Sequence, residues 1–387
     1  MRARSLVPVL LALGVAACAP EATEHTGRTS ASILGGRASN DDENANVFIE
    51  TVGDDGTLRC SGRILAPRLV LSARHCFLKR KSENVRCSPD GSPADISDTT
   101  DLRPEPAERV TVYVGSEKPN LRPIAVREVI TMLEVTLCRS DIAFLLLEES
   151  PLDARTPLRR QPVAFGDEVT VTGWGYTSDA RDALPLRRST LEGLRINDVG
   201  PGRIPQGTFA TGGNSVCLGD SGAVALIDGA VVGTYSRIDG DPGACSLAVG
   251  RNIFTATAAQ VEITKRAFAA IGEEPWYAGE PPPWLAAAGA ACSRDDECRS
   301  GTCDPSTSTC AVACGDTGRA CPSGQVCSEQ GSCVTSDVAS GAERSEAAPA
   351  PRTSCSALGA PSTAASPAHL ALALALPALV LARRRRS

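Results

Sequence analysis

The sequence predicts an all-β body closed by one C-terminal helix, with a small crosslinked module behind it. Between Ile33 and Gly272 short apolar runs of β-branched residues are broken by turn residues, and long amphipathic helices are missing. Helical spacing first appears at Ala258 to Ile271, after the strands. Eight of the sixteen cysteines then crowd between Cys292 and Cys333. A segment that short cannot build much apolar core, so crosslinks must hold it. Many strands followed by a terminal helix suggest a barrel or a sandwich.

Taken from the start, residues 1–17 read as a signal peptide, with two arginines before Leu6 and an apolar run to Ala17 too short for a permanent span. Val15-Ala16-Ala17-Cys18 resembles a bacterial lipobox, which makes Cys18 a lipidation candidate; the alternative is an ordinary signal with Cys18 incidental. Residues 18–32 are polar and lack periodicity, as a pro-segment or tether would.

Within the body, 33–272, Val110 to Val114 alternates with period two and Ile142 to Leu147 is continuously apolar. Further strands are expected at Glu168 to Thr172 and Val231 to Tyr235, with Asp228-Gly229 placed for a tight hairpin turn. The helix is expected over Ala258 to Ile271, with Val261, Thr264, Phe268 and Ile271 on its apolar face and Gly272 as C-cap.

Residues 273–289, with Pro281-Pro282-Pro283 inside, read as a stiff linker to the module at 290–334. A disordered tether, rich in Ala, Ser and Pro, is expected over 335–367. The last segment, 368–387, is apolar to Ala382, interrupted by Pro377 and followed by four arginines. Since about twenty apolar residues make a full span, this is a marginal anchor. With Cys355 upstream as a second lipidation candidate, the arrangement resembles the C-terminal sorting tails of myxobacterial surface proteins. The alternative is a simple stop-transfer anchor with its arginines inside. Either reading places the body on the cell surface, in the outer membrane or in the medium.

The formal charge of −6 gives no reason to expect nucleic acid as a partner. Even cysteine sets, six in the body and eight in the module, point to disulfides and an oxidising compartment. Zinc is the rival reading, but the module lacks the histidines and regular CxxC pairs of a zinc site. Neither cofactor nor metal is expected, and the chain is expected to be monomeric.

A serine hydroxyl needs a base to act as a nucleophile near neutral pH, and histidine is the usual one. Of the three histidines, His25 precedes the body and His369 lies in the apolar tail, so a base in the body must be His75. A bond from Cys60 to Cys76 would pin the loop that presents it. The imidazole needs a carboxylate to fix its tautomer, and Asp141 opens an apolar strand where burial is plausible.

Ile33-Leu34-Gly35-Gly36, Ser72-Ala73-Arg74-His75-Cys76, Asp141-Ile142-Ala143-Phe144-Leu145, Val171-Thr172-Gly173-Trp174-Gly175 and Cys217-Leu218-Gly219-Asp220-Ser221-Gly222 stand in one order. In that order and context the sequence resembles the trypsin–chymotrypsin serine peptidases over about 240 residues. The resemblance implies two packed six-stranded antiparallel β-barrels with the site between them. It implies Ser221 as nucleophile, His75 as general base then acid, Asp141 as orienting group, and the N–H groups of Gly219 and Ser221 as oxyanion hole.

The resemblance further implies that a freed amine at Ile33 pairs with Asp220 once the chain is cut after Ser32. The family is often cut after a basic residue; here the nearest arginine is Arg28, so the activating peptidase is open. Ser215, Ser236 and Ile238 match the primary pocket, implying small or medium apolar residues before the scissile bond. Cys217 with Cys245 fits the bond framing that pocket, which leaves Cys87 and Cys138 to pair. Protein or peptide substrates follow, with the membrane reached through a lipid or the C-terminal tail. The competing reading is a non-catalytic surface protein on the same scaffold, with the Cys292–Cys333 module as its binder and otherwise as a rigid spacer.

Overall fold

The computed structural model describes residues 36–40, 43–54, 56–79, 87–94, 103–132, 136–175, 188–213, 216, 218–240, 250–314 and 320–335. After a short strand β1 (Arg37–Ala38), six strands form the first barrel: β2 (Asn46–Gly53), β3 (Gly56–Ala66), β4 (Leu69–Ser72), β5 (Val110–Val114), β6 (Arg122–Ile130) and β7 (Ala143–Leu147). They close in the order β2-β3-β4-β7-β6-β5, with β5 returning antiparallel to β2. The second barrel holds β8 (Glu168–Gly173), β9 (Ser189–Val199), β10 (Thr208–Gly212), β11 (Val224–Ile227), β12 (Ala230–Gly240) and β13 (Gly250–Ala256). Its order is β9-β10-β13-β12-β11-β8, closed by β8 on β9, with β1 on the outer edge of β9. The fold is therefore all-β with two closed six-stranded antiparallel barrels, the barrel alternative of the two left open.

Each barrel is filled by one face of its strands, as period-two patterning requires. In the first, Val47 and Ile49 of β2 meet Ile64, Val112 and Leu145. In the second, Phe209 and Phe254 stack with ring centroids 5.0 Å apart, and the Tyr235 ring meets Phe254 edge-on. β7 is buried on both faces: Leu145 points into the first barrel, whereas Phe144 joins a cluster with Leu71, Val231 and Phe268. That cluster is the seam between the barrels.

The helix α1 (Val261–Ala269) seals the seam with Ile263, Ala267 and Phe268. It starts three residues later than the sequence predicts, because Thr257–Ala259 form a 3-10 turn. Val261, expected on the apolar face, is 39% exposed, and Ile263 and Ala267 fill the buried stripe instead. At the other end Gly272 adopts φ 72° and its N–H donates to Ala269 O, which is the expected cap. Asp228-Gly229 makes the expected β11–β12 turn, both residues at positive φ.

The segment after α1 is hydrogen-bonded onto the second barrel. Leu158 N–H donates to Trp276 O at 2.8 Å, Ala278 N–H donates to Leu158 O at 2.9 Å, and Leu158 also bridges Val231 of β12. The Arg160 guanidinium lies 3.5 Å from the Tyr277 ring centroid and pairs with Glu280, while Arg155 lies over Trp284. Behind it, Cys292–Cys303 and Cys298–Cys310 form one crosslinked pair, and Cys314–Cys327 and Cys321–Cys333 repeat the pattern. All eight module cysteines are spent in disulfides, which decides against zinc thiolates. The strands here, from β14 (Cys303–Asp304), β15 (Thr309–Cys310) and β16 (Val312–Ala313) to β17 (Gln325–Cys327) and β18 (Ser332–Thr335), are short.

Phe254→Ala should destabilise the protein by about 3–5 kcal/mol, since it empties the centre of the second barrel. Urea unfolding checks this; a loss below about 1 kcal/mol would mean that the stack collapses without cost.

Candidate active site

β4 runs antiparallel to β7, with Ser72 opposite Ala143. Past Ser72 the chain turns through the buried 3-10 turn Arg74–Phe77, and this carries His75 back against Asp141 at the start of β7. Cys76 is bonded to Cys60 on β3, which fixes the turn. The His75 backbone N–H donates to Asp141 Oδ1 at 2.8 Å, and Nδ1 lies 2.7 Å from Oδ2. Facing a carboxylate, Nδ1 is the ring nitrogen placed to donate.

Asp141 is 2% exposed and accepts a third hydrogen bond from Ser236 Oγ at 2.6 Å, on β12 of the other barrel. Burial pushes its carboxyl up, yet the His75 charge and the hydrogen bonds of His75 and Ser236 outweigh that and hold it below its ordinary value. Ser236, expected only as pocket wall, thus also ties Asp141 to the second barrel.

The segment Gly219 to Gly222 lies against this turn. Ser61 on β3 donates its N–H to Ser221 O at 2.8 Å and its hydroxyl to Gly219 O at 3.0 Å, and accepts Trp174 N–H at 2.9 Å. Cys76 Sγ is 3.8 Å from Ser221 O, so Ser221 stands beside the Cys60–Cys76 bridge. Gly222 has φ 84°, and a Cβ there would overlap Ser72 Oγ and Ser61 O, so no larger residue fits. Among the described residues the N–H groups of Gly219 and Ser221 have no protein acceptor.

Asp220 is fully buried and accepts Gly175 N–H at 2.7 Å. Its carboxylate fills the space that a Cβ would take at Gly173 or Gly175, which explains the glycines flanking Trp174. Ile238 follows on β12 and packs against the second-barrel core.

Cys87 is bonded to Cys138. Ile33, Ser215, Cys217, Cys245, Cys18 and Cys355 lie outside the described residues. Sequence reasoning missed Ser61, whose one signal was its place after Cys60. It also missed Arg237, between Ser236 and Ile238, whose Nη1 donates to Ser236 Oγ at 3.3 Å.

A carboxyl lowered on folding stabilises the protein above its unfolded pKa, and that contribution is lost as pH falls through the folded value. For Asp141, lowered from 3.8, the stability lost in Asp141→Ala should be largest above about pH 4 and shrink in stronger acid. Urea titrations of both proteins at about pH 6 and about pH 3 test this; a gap that widens in acid would refute it.

The family model described as Trypsin matches residues 33–258. Similar proteins include a trypsin of Phaedon cochleariae, 26% identical over 193 residues, covering 46% of this chain and 67% of that protein. A chymotrypsin of the same species is 27% identical over 206 residues, covering 49% and 67%. Kallikrein-12 of Homo sapiens is 30% identical over 205 residues, covering 49% and 73%. With two closed barrels and the His75–Asp141 pair at their seam, the chain belongs to the trypsin family.

Proposed function

We propose that the chain is an exported serine endopeptidase that cleaves peptide bonds through an acyl-enzyme. The observation that carries this is the His75–Asp141 pair, 2.7 Å apart and buried, on the turn whose disulfide lies beside Ser221. In this reading Ser221 Oγ attacks the scissile carbonyl carbon while His75 Nε2 takes its proton, and Asp141 stabilises the imidazolium. The N–H groups of Gly219 and Ser221 meet the charge that develops on the carbonyl oxygen. The C–N bond then breaks, His75 gives its proton to the departing amine, and water releases the acyl group by the same route.

Asp220 makes this activity conditional in our reading: cleavage before Ile33 frees an amine to pair with it. Its full burial supports this, because an ion pair formed there is shielded from water. Pocket residues Ser215, Ser236 and Ile238 then favour small or medium apolar side chains before the scissile bond. The domain plan is signal peptide 1–17, pro-segment 18–32, peptidase 33–272, linker 273–289, crosslinked module 290–334, tether 335–367 and sorting tail 368–387. Cys18 or Cys355 with the tail would hold the chain at a bacterial surface, and the disulfides support an oxidising, extracellular setting.

A serine-directed fluorophosphonate should label protein that begins at Ile33, and Ser221→Ala should abolish labelling and lower kcat by roughly 10⁶-fold. Protein retaining residues 18–32 should label poorly. Absence of labelling in the processed form would overturn the peptidase reading and leave the surface-binding one. A peptide panel should show cleavage after Ala, Val or Leu; cleavage chiefly after Arg or Lys would refute the pocket assignment.

A further inference from the structure

Arg237 stands beside the candidate triad with a charge that the described residues do not neutralise. Its guanidinium is half-buried and donates to Ser236 Oγ at 3.3 Å, the hydroxyl that itself donates to Asp141. No carboxylate among the described residues lies within 4.0 Å of it. Asp141 attracts it but already accepts from His75 N–H, His75 Nδ1–H and Ser236 Oγ. Asp239 is paired with Arg251. Burial pulls the guanidinium below its ordinary value, and the pull of Asp141 and Asp239 does not restore it. A half-buried cation without an ion-pair partner is costly, and a carboxylate brought by a ligand removes that cost.

The strand geometry says where such a carboxylate would come from. β12 pairs with β13 along Tyr235 to Gly240, but β11 pairs with β12 no further than Thr234. Among the described residues the second edge of Ser236–Gly240 is open, and it starts beside the His75–Asp141 pair. An open edge of this kind takes an extended peptide as an added strand. Beyond the bulge between Tyr235 and Arg237 side chains alternate along β12, so Ile238 packs against the second-barrel core while Arg237 lies on the opposite face. In an added strand, the residue before the scissile bond shares the Ile238 face if it enters the pocket proposed above, which Ile238 lines. Those second and fourth before the bond share the Arg237 face.

We propose that Arg237 is a specificity-determining residue that selects an acidic side chain at the second or fourth position before the scissile bond. The assignment rests on the peptidase reading. The test uses protein processed before Ile33 and peptides that carry Glu or Gln, one position at a time. Glu at the second or fourth position should raise kcat/KM about ten-fold over Gln, as one charge-assisted contact would. Glu at the third position should not. Arg237→Gln should erase the preference, still react with fluorophosphonate and still cleave Gln peptides, and Arg237→Lys should keep part of it.

Equal turnover of Glu and Gln peptides by the wild type, or a preference surviving in Arg237→Gln, would overturn the assignment. Binding of the same peptides to Ser221→Ala separates this from failure of the catalytic reading, because it needs no turnover. There the Glu peptide should bind about ten-fold tighter, and less so in high salt. Equal affinity overturns the Arg237 assignment whether or not Ser221 labels.

Discussion

Ser61 is the residue that ties the first barrel to the segment holding Ser221 in the second. It lies on β3 of the first barrel, 1% exposed, and all three of its hydrogen bonds described above reach the second. Its hydroxyl donates to Gly219 and accepts from Trp174, so the segment before Ser221 and the strand end after Gly173 are tied to one atom. The contact works only because Gly222 has no Cβ to keep the backbones apart. His75 belongs to the first barrel and Ser221 to the second, and β3 reaches both, through Ser61 N–H to Ser221 O and through the Cys60–Cys76 bond to the His75 turn.

Asp141 makes the complementary tie in the other direction. It comes from the first barrel, and Ser236 of β12 reaches across to it. A carboxylate this deeply buried is tolerable only with its lone pairs satisfied, and three donors in good geometry do that. Asp220, one residue from Ser221, is the second fully buried carboxylate near the seam, in a cradle cleared by Gly173 and Gly175. Two buried anions with different partners thus flank Ser221 and His75.

Much of this was legible in the sequence because it depends on local rules. Alternation in Val110 to Val114 and the continuous run in β7 gave strands at the right places, since strand burial has a period of two. Asp228-Gly229 and Gly272 were readable because positive φ favours glycine and its neighbours in turns. His75 stood out because the body holds no second histidine. What stayed hidden depends on contacts between residues distant in sequence. Ser61 meets Gly219 over a separation of 158 residues, and nothing local marks a serine for that task. The helix begins late because Thr257–Ala259 form a 3-10 turn, and its buried stripe holds Ile263 and Ala267 rather than Val261, although all three are apolar. The module's pairing was closed to sequence because eight cysteines allow 105 connectivities.

The proline-rich stretch shows the same limit in a different form. Composition marks it as stiff, and three consecutive prolines justify that. Composition does not show that Trp276 and Tyr277 extend the second barrel through Leu158, or that Arg155 and Arg160 clamp Trp284 and Tyr277. In those contacts each guanidinium lies on an aromatic face and also pairs with a carboxylate, Glu280 for Arg160 and Glu273 for Arg155. At its far end the stretch enters the module by backbone pairing, with Ala286 N–H donating to Glu297 O and Arg299 N–H to Ala286 O. A segment bonded at both ends transmits position from one unit to the next. The stretch between the barrels and the crosslinked module is therefore fixed by side chains that lie outside every motif of the trypsin family resemblance.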